Sequence, residues 1–183
     1  MPTPDANLTD MATLRRLGPD DWASFRDIRL RSLADSPDAF ASMLEREQGF
    51  TEADWRRRLT GPVYVVDDPR PVAIGGIFDN AGTPHVWGMW TDPAHRGRGH
   101  ARAILDALIP PGTIAQLDVN ITNDGARAAY ERYGFVGTGE LEPLREGSEQ
   151  RVELMVLTRA GLSDPGRPHA PGRSRPSGPR PGA

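Results

Sequence analysis

The chain contains no cysteine. Disulfides, thiol nucleophiles and cysteine-based zinc sites are therefore excluded. Lysine is equally absent, so all 22 basic residues are arginine. That removes both a Schiff-base lysine and the lysine of a nucleotide-binding P-loop. No apolar run approaches the roughly 20 residues needed to span a bilayer. Residues 1–10 are polar and lack the basic-then-apolar order of a secretory signal. The expectation is a cytoplasmic protein with no membrane partner. The four histidines, His85, His95, His100 and His169, are not at ligand spacing with carboxylates, so no metal is expected.

What is present fits one domain of 183 residues with its own core. Residues 1–10 read as a flexible start and 11–159 as the domain. Residues 160–183, rich in Pro, Gly, Arg and Ser, offer too little apolar surface to offset chain entropy and read as disordered. The net charge is −3, and the arginines of that tail conceal a more acidic body. Such a body argues against a nucleic-acid partner, whose footprint is a basic face, and is compatible with a cationic amine as substrate.

Strand and helix patterns alternate along the domain. Residues 13–17 read as a strand, and Trp22, Phe25, Ile28 and Leu33 recur at helical spacing. After Ser36-Pro37, residues 38–48 can form a second helical piece, and Thr51 heads a third with Asp54 at the capping position. Apolar strands at 63–66 and 72–78 form a hairpin, and a strand at 86–90 follows the 80–84 loop. Then come a helix at 99–109, a strand at 114–119, a helix at 123–133 and closing strands at 135–138 and 152–157. The order implies a mixed α/β layer.

The most informative stretch is Asp92-Pro93-Ala94-His95-Arg96-Gly97-Arg98-Gly99-His100-Ala101. A strand ends, the chain turns through two glycines, and a helix begins. Backbone N–H groups at a helix start lack intrahelical partners and point outward at the positive end of the dipole. Glycines let a ligand approach that backbone closely. The product is an anion cradle suited to a pyrophosphate, with Arg96 and Arg98 adding charge. A dinucleotide fingerprint does not fit, because Arg102 stands where its third glycine belongs.

Downstream, Asn123, Ala126 and Tyr130 precede Gly134-Phe135. Together these stretches resemble the Gcn5-related N-acetyltransferases of bacterial type. Arg96, Gly99 and Ala101 match that family's R/Q-x-x-G-x-G/A loop, and Asn123-x-x-Ala126-x-x-x-Tyr130-x-x-x-Gly134-Phe135 matches its next block. The resemblance spans about residues 13–157. It implies a mixed sheet of six to seven strands flanked by about four helices, with central strands splayed to bind acetyl-CoA as co-substrate. It also implies that Met89, Trp90 and Thr91 offer backbone groups to pantetheine. Arg96, Gly97, Arg98, Gly99, His100 and Ala101 would hold the pyrophosphate, and Asn123 would touch the pantetheine arm.

Acetyl transfer needs a neutral amine, help for the oxyanion and a proton for the departing thiolate. The resemblance places Tyr130 as the general acid, although a tyrosine there can also simply pack. The base stays open. The strand before the glycine turn carries no glutamate, which leaves His85, Glu47 or a water chain. Phe40, Met43 and Trp87 could line an acceptor pocket, although large apolar residues are more often core. The resemblance thus implies an N-acetyltransferase acting on a small-molecule amine. An enzyme acting on a protein N-terminus or lysine, and a non-catalytic acyl-CoA-binding module, stay open beside it. A homodimer is implied by resemblance alone.

Overall fold

The computed structural model describes residues 12–158. The flexible start expected at 1–10 and the disordered tail expected at 160–183 lie outside the described residues. Among these residues seven strands form one sheet in the order β1-β2-β3-β4-β5-β7-β6. Strand β1 (Thr13–Arg16), β2 (Val63–Asp67), β3 (Pro71–Asn80) and β4 (Thr83–Thr91) are successively antiparallel. Strand β5 (Ala115–Asn120) joins β4 in parallel, and β7 (Arg151–Leu157) lies antiparallel between β5 and β6 (Phe135–Pro143).

Five α-helices cover the two faces among the described residues. Helices α1 (Trp22–Asp35), α2 (Leu44–Gln48) and α3 (Glu52–Arg58) close one face, and their core includes Phe25, Ile28, Leu33, Trp55, Val63, Val65, Ile74 and Trp90. Helix α4 (His100–Leu108) packs over Val72, Ala73, Ile77, Val86 and Leu117 on the other, with α5 (Asp124–Tyr133) beside β6. Alternate residues of a strand face opposite layers, so β4 sends Val86 to the α4 side while Trp87 packs toward α1.

Local chemistry explains the boundaries. Thr51 caps α3: its hydroxyl accepts from the Asp54 N–H, and Asp54 accepts from the Thr51 N–H. Asn123 caps α5 by accepting from the Ala126 N–H, and Gly134 ends it at φ 120°. The 80–84 loop shrinks to a two-residue turn. Ala81 (φ 53°) and Gly82 (φ 87°) take the left-handed pair of angles that matches strand twist, so β3 and β4 run on to Asn80 and Thr83.

The helical piece expected over 38–48 breaks in two. Pro37–Ala39 makes a single tight turn, then Phe40 turns extended (φ −128°) and is buried, and the helix restarts at Leu44. Strand β6 also outruns its expected end at 138. Its polar second half pairs with β7 after a bulge between Gly137 and Leu141.

Candidate active site

Strands β4 and β5 meet at one registered pair, His85 with Gln116. Beyond it toward their C-terminal ends the strands part, and the backbone of 88–91 borders a cleft. A bulge sits at the same place. Ile74 pairs with Trp90 and Gly76 with Trp87, so Gly75 alone faces both Gly88 and Met89. A bulge leaves its extra residue outside the ladder, and Gly88 takes φ 66° to make it. Gly75 and Gly76 give the room. A Cβ on Gly75 would stand 2.2 Å from Met89 Sδ, and one on Gly76 2.6 Å from the Trp87 ring.

At the open end of the cleft lies the glycine turn. Gly97 (φ 78°) and Gly99 (φ 84°) reverse the chain, and a Cβ at either would meet nothing within 4 Å. Gly99 caps α4 with no side-chain bond to the first helical N–H groups. These donors face an open surface at the positive end of the helix. Arg96 and Arg98 stand at its rim already engaged. Arg96 donates to Asp35 at 3.0 Å and to the Thr91 carbonyl at 3.0 Å, and Arg98 donates to Asp68 at 3.3 Å. The cradle is therefore mainly backbone. Behind it His100 is buried, and desolvation lowers its pKa from the ordinary value, which keeps it neutral. Ala101 is half-buried.

Trp90 is a core residue whose indole N–H donates to Asp35 at 2.9 Å, so only its backbone borders the cleft. Burial alone would raise the Asp35 carboxyl. Bonds from Ser36 and Trp90 and the charge of Arg96 bring it below its ordinary value. Asn123 spends its Oδ1 on the α5 cap and lines an open recess of about 470 Å³ with Asn120 and the 35–39 segment. Tyr130 packs edge-on against Phe135 at 6.0 Å. Its hydroxyl bonds to no described residue, and burial pushes its pKa above the ordinary phenol value.

On the α1 side, Phe40, His85, Trp87, Gly88, Asp118 and Arg29 line a cleft of about 90 Å³. His85 is only 4 % exposed. Its Nε2 lies 3.2 Å from Asp118 Oδ2, its ring stacks on Phe78 at 5.2 Å, and its Nδ1 has no hydrogen-bond partner. Two expected site residues, Met43 and Glu47, lie outside the lining of this cleft. Met43 is 48 % exposed and outside the cleft, because the chain between Phe40 and Leu44 turns it outward. Glu47 is wholly buried and accepts from Arg29 Nη2 at 2.8 Å and Nε at 3.0 Å, with Arg58 at 3.3 Å. Burial by itself raises its carboxyl, but the bonds and charge of Arg29 and the charge of Arg58 bring it below the ordinary value. A carboxylate so held is a poor proton acceptor.

The sequence reading missed Asp118, Arg29 and Arg58. A signal for Arg29 existed: with Phe25, Ile28, Ser32 and Leu33 it completes the i, i+3, i+4, i+7, i+8 stripe that α1 buries. Among the described residues no group of three or more His, Asp or Glu side chains could hold a metal ion. No helix there is long and apolar enough to cross a membrane.

Comparison with known proteins agrees with this geometry. The model of the acetyltransferase (GNAT) family matches residues 22–135. No curated protein matches the sequence. Among solved structures, an acetyltransferase of the GNAT family from Streptococcus pneumoniae superposes with a TM-score of 0.65 at 16 % identity, covering 80 % of this chain and 98 % of its own. YncA from Salmonella typhimurium, solved with its cofactor acetyl-CoA, gives 0.66 at 17 % identity, covering 86 % of this chain and 99 % of its own. The ribosomal-protein-S18-alanine N-acetyltransferase of Escherichia coli gives 0.59 at 19 % identity, covering 84 % and 98 %. At these identities the likeness establishes the fold.

Proposed function

Since this chain belongs to the acetyltransferase (GNAT) family, we propose that it is an acetyl-CoA-dependent N-acetyltransferase acting on the primary amine of a small molecule. The observation that carries the reading is the split of β4 from β5 beyond a single registered pair, with a backbone anion cradle at its open end. Acetyl-CoA supplies an activated acyl carbon with a thiolate leaving group. Its pyrophosphate suits the unpaired N–H groups of α4 and the Gly97–Gly99 turn. Its pantetheine arm suits the edge of β4 that faces away from β3, from Met89 to Thr91, as an added strand, with Asn123 at the side.

The bulge at Gly88 and Met89 frees backbone at the point where the oxyanion would form, and a fixed donor there costs no reorganisation during reaction. His85 serves as the base. With Asp118 beside Nε2 the ring proton is favoured on that nitrogen, leaving Nδ1 as the lone-pair acceptor. The amine nitrogen attacks the acyl carbon, its proton passes to His85 Nδ1, and the C–S bond breaks as the amide forms. Tyr130 stays protonated throughout the physiological range, since burial raises its pKa. Its role is therefore to donate a hydrogen bond to the departing sulfur rather than the full proton expected of a general acid, and the thiolate is protonated from solvent as His85 gives up its proton there.

In a thiol-release assay, Tyr130→Phe should lower kcat by about tenfold or more while the Kd for acetyl-CoA is unchanged. Unaltered turnover would remove Tyr130 from the chemistry and favour a non-catalytic acyl-CoA-binding module. His85→Gln should lower kcat similarly while the Kd for acetyl-CoA is unchanged. A wild-type kcat in that variant would exclude His85 as the base.

A further inference from the structure

The α1-side cleft is electrically two-ended. At one wall stands His85 with the Asp118 carboxylate 3.2 Å from its Nε2. At the other stands Arg29, which is 1 % exposed. Its Nε and Nη2 are both spent on Glu47, but Nη1 has no hydrogen-bond partner. That nitrogen lies 3.8 Å from where a Cβ on Gly88 would stand, so it borders the β4 bulge. Phe40 covers the guanidinium face, with its ring centroid 4.7 Å from Cζ.

Beneath lies a second guanidinium, Arg58, sharing the same Glu47 carboxylate and packed over Phe50, Trp55 and Trp87. Its Nε and Nη2 also lack hydrogen-bond partners. Two buried cations therefore share one buried anion. Desolvation lowers the Arg58 pKa to about 10, as expected for a charge taken from water with too little compensation. Buried charges are normally paired, and an orphan guanidinium donor in a binding cleft is a standing demand for an anion.

We propose that the acceptor is a small α-amino acid or close analogue, its carboxylate received by Arg29 Nη1 and its amine presented to His85 beside Asp118. The inference rests on the amine-acetyltransferase reading above. A cleft of about 90 Å³ suits a compact zwitterion, and the two walls fix which end meets the acyl carbon. Phe40 and Trp87 leave an apolar flank for the acceptor's side chain.

The test compares matched pairs on the wild-type protein: alanine with ethylamine, and 2-aminobutyric acid with propylamine. The readout is kcat/KM from thiol release, free of background because the chain has no cysteine. The amino acid should be favoured by at least about tenfold in at least one pair, as a charge-assisted hydrogen bond warrants. In Arg29→Lys, which keeps a cation for Glu47 but loses the Nη1 donor, the acid-to-amine ratio should fall by about tenfold, whatever loss both substrates share. Acetyl-CoA titration of the variant checks that it is folded. Equal use of both members in the wild type overturns the proposal and leaves the acetyltransferase reading standing. An unchanged ratio in folded Arg29→Lys overturns the assignment to Arg29. Acetyl-CoA binding with no small amine acetylated also overturns it, in favour of a larger acceptor. Absence of acetyl-CoA binding fells the reading and the proposal together.

Discussion

Gly99 and Gly82 form a natural experiment. Their φ angles are 84° and 87°, and a Cβ at either meets nothing within 4 Å. One heads α4 in the proposed pyrophosphate cradle, and the other closes the β3–β4 hairpin. An L-residue in the left-handed region costs about 1–2 kcal/mol, with Asp near the low end. Loss of glycine's freedom in the unfolded chain offsets about 0.4–1 kcal/mol of that. Gly99→Asp and Gly82→Asp should therefore each cost at most about 1 kcal/mol, which is about 2–4 °C in Tm at this length.

Affinity separates them. A carboxylate about 5 Å from a phosphate charge costs about 1–3 kcal/mol for effective dielectric constants between bulk water and a protein surface. Gly99→Asp should accordingly weaken acetyl-CoA binding about fivefold to 150-fold, while Gly82→Asp leaves it unaltered. Calorimetric titration at 0.15 M salt beside thermal melting reads both quantities. Equal affinities in the two variants would refute the cradle, because their backbone strain is matched.

Glu47→Gln should leave Arg29 and Arg58 buried without a counter-ion and destabilise the fold by about 3–5 kcal/mol in denaturant titration at pH 7. The wild-type dependence on acid follows from the lowered Glu47 pKa. A carboxyl lowered in the folded state contributes fully above its unfolded value and loses that contribution as pH falls through the folded one. Below about pH 4.5 the wild type should therefore lose stability faster than Glu47→Gln, and parallel curves would exclude the ion pair as the cause. Gly75→Ala should destabilise by about 1–3 kcal/mol although alanine is the better strand residue, because overpacking outweighs propensity here. Met89 can swing from the new Cβ, but Ile104 Cγ2 at 2.8 Å is fixed in the core. An unshifted melting curve would contradict that packing.

The order of elements was legible because each rests on local chemistry: the 3.6-residue stripe of α1, the Thr51–Asp54 cap, the glycine turn before α4. The cofactor side was legible for the same reason, since a backbone cradle is written contiguously from Arg96 to Ala101. The acceptor side was not. His85 and Asp118 belong to different strands, and their contact exists only because β4 and β5 pair at His85 and Gln116. Glu47 meets Arg29, 18 positions away, only because a two-part break at residues 37–43 turns it there. Met43 went the other way, into solvent. The β4 bulge was also hidden, because a register shift is a property of two strands rather than of one.

Titrating the purified protein with acetyl-CoA by calorimetry shows whether the parted strands and the glycine turn form an acetyl-CoA site. Parallel titrations with CoA and 3′-dephospho-CoA show which part of the molecule is held, and no acceptor needs to be known. One-site binding is expected, with a Kd on the order of micromolar, retained by CoA and by the dephosphorylated analogue because the pyrophosphate carries the contact. No detectable heat or affinity with any of the three would contradict it.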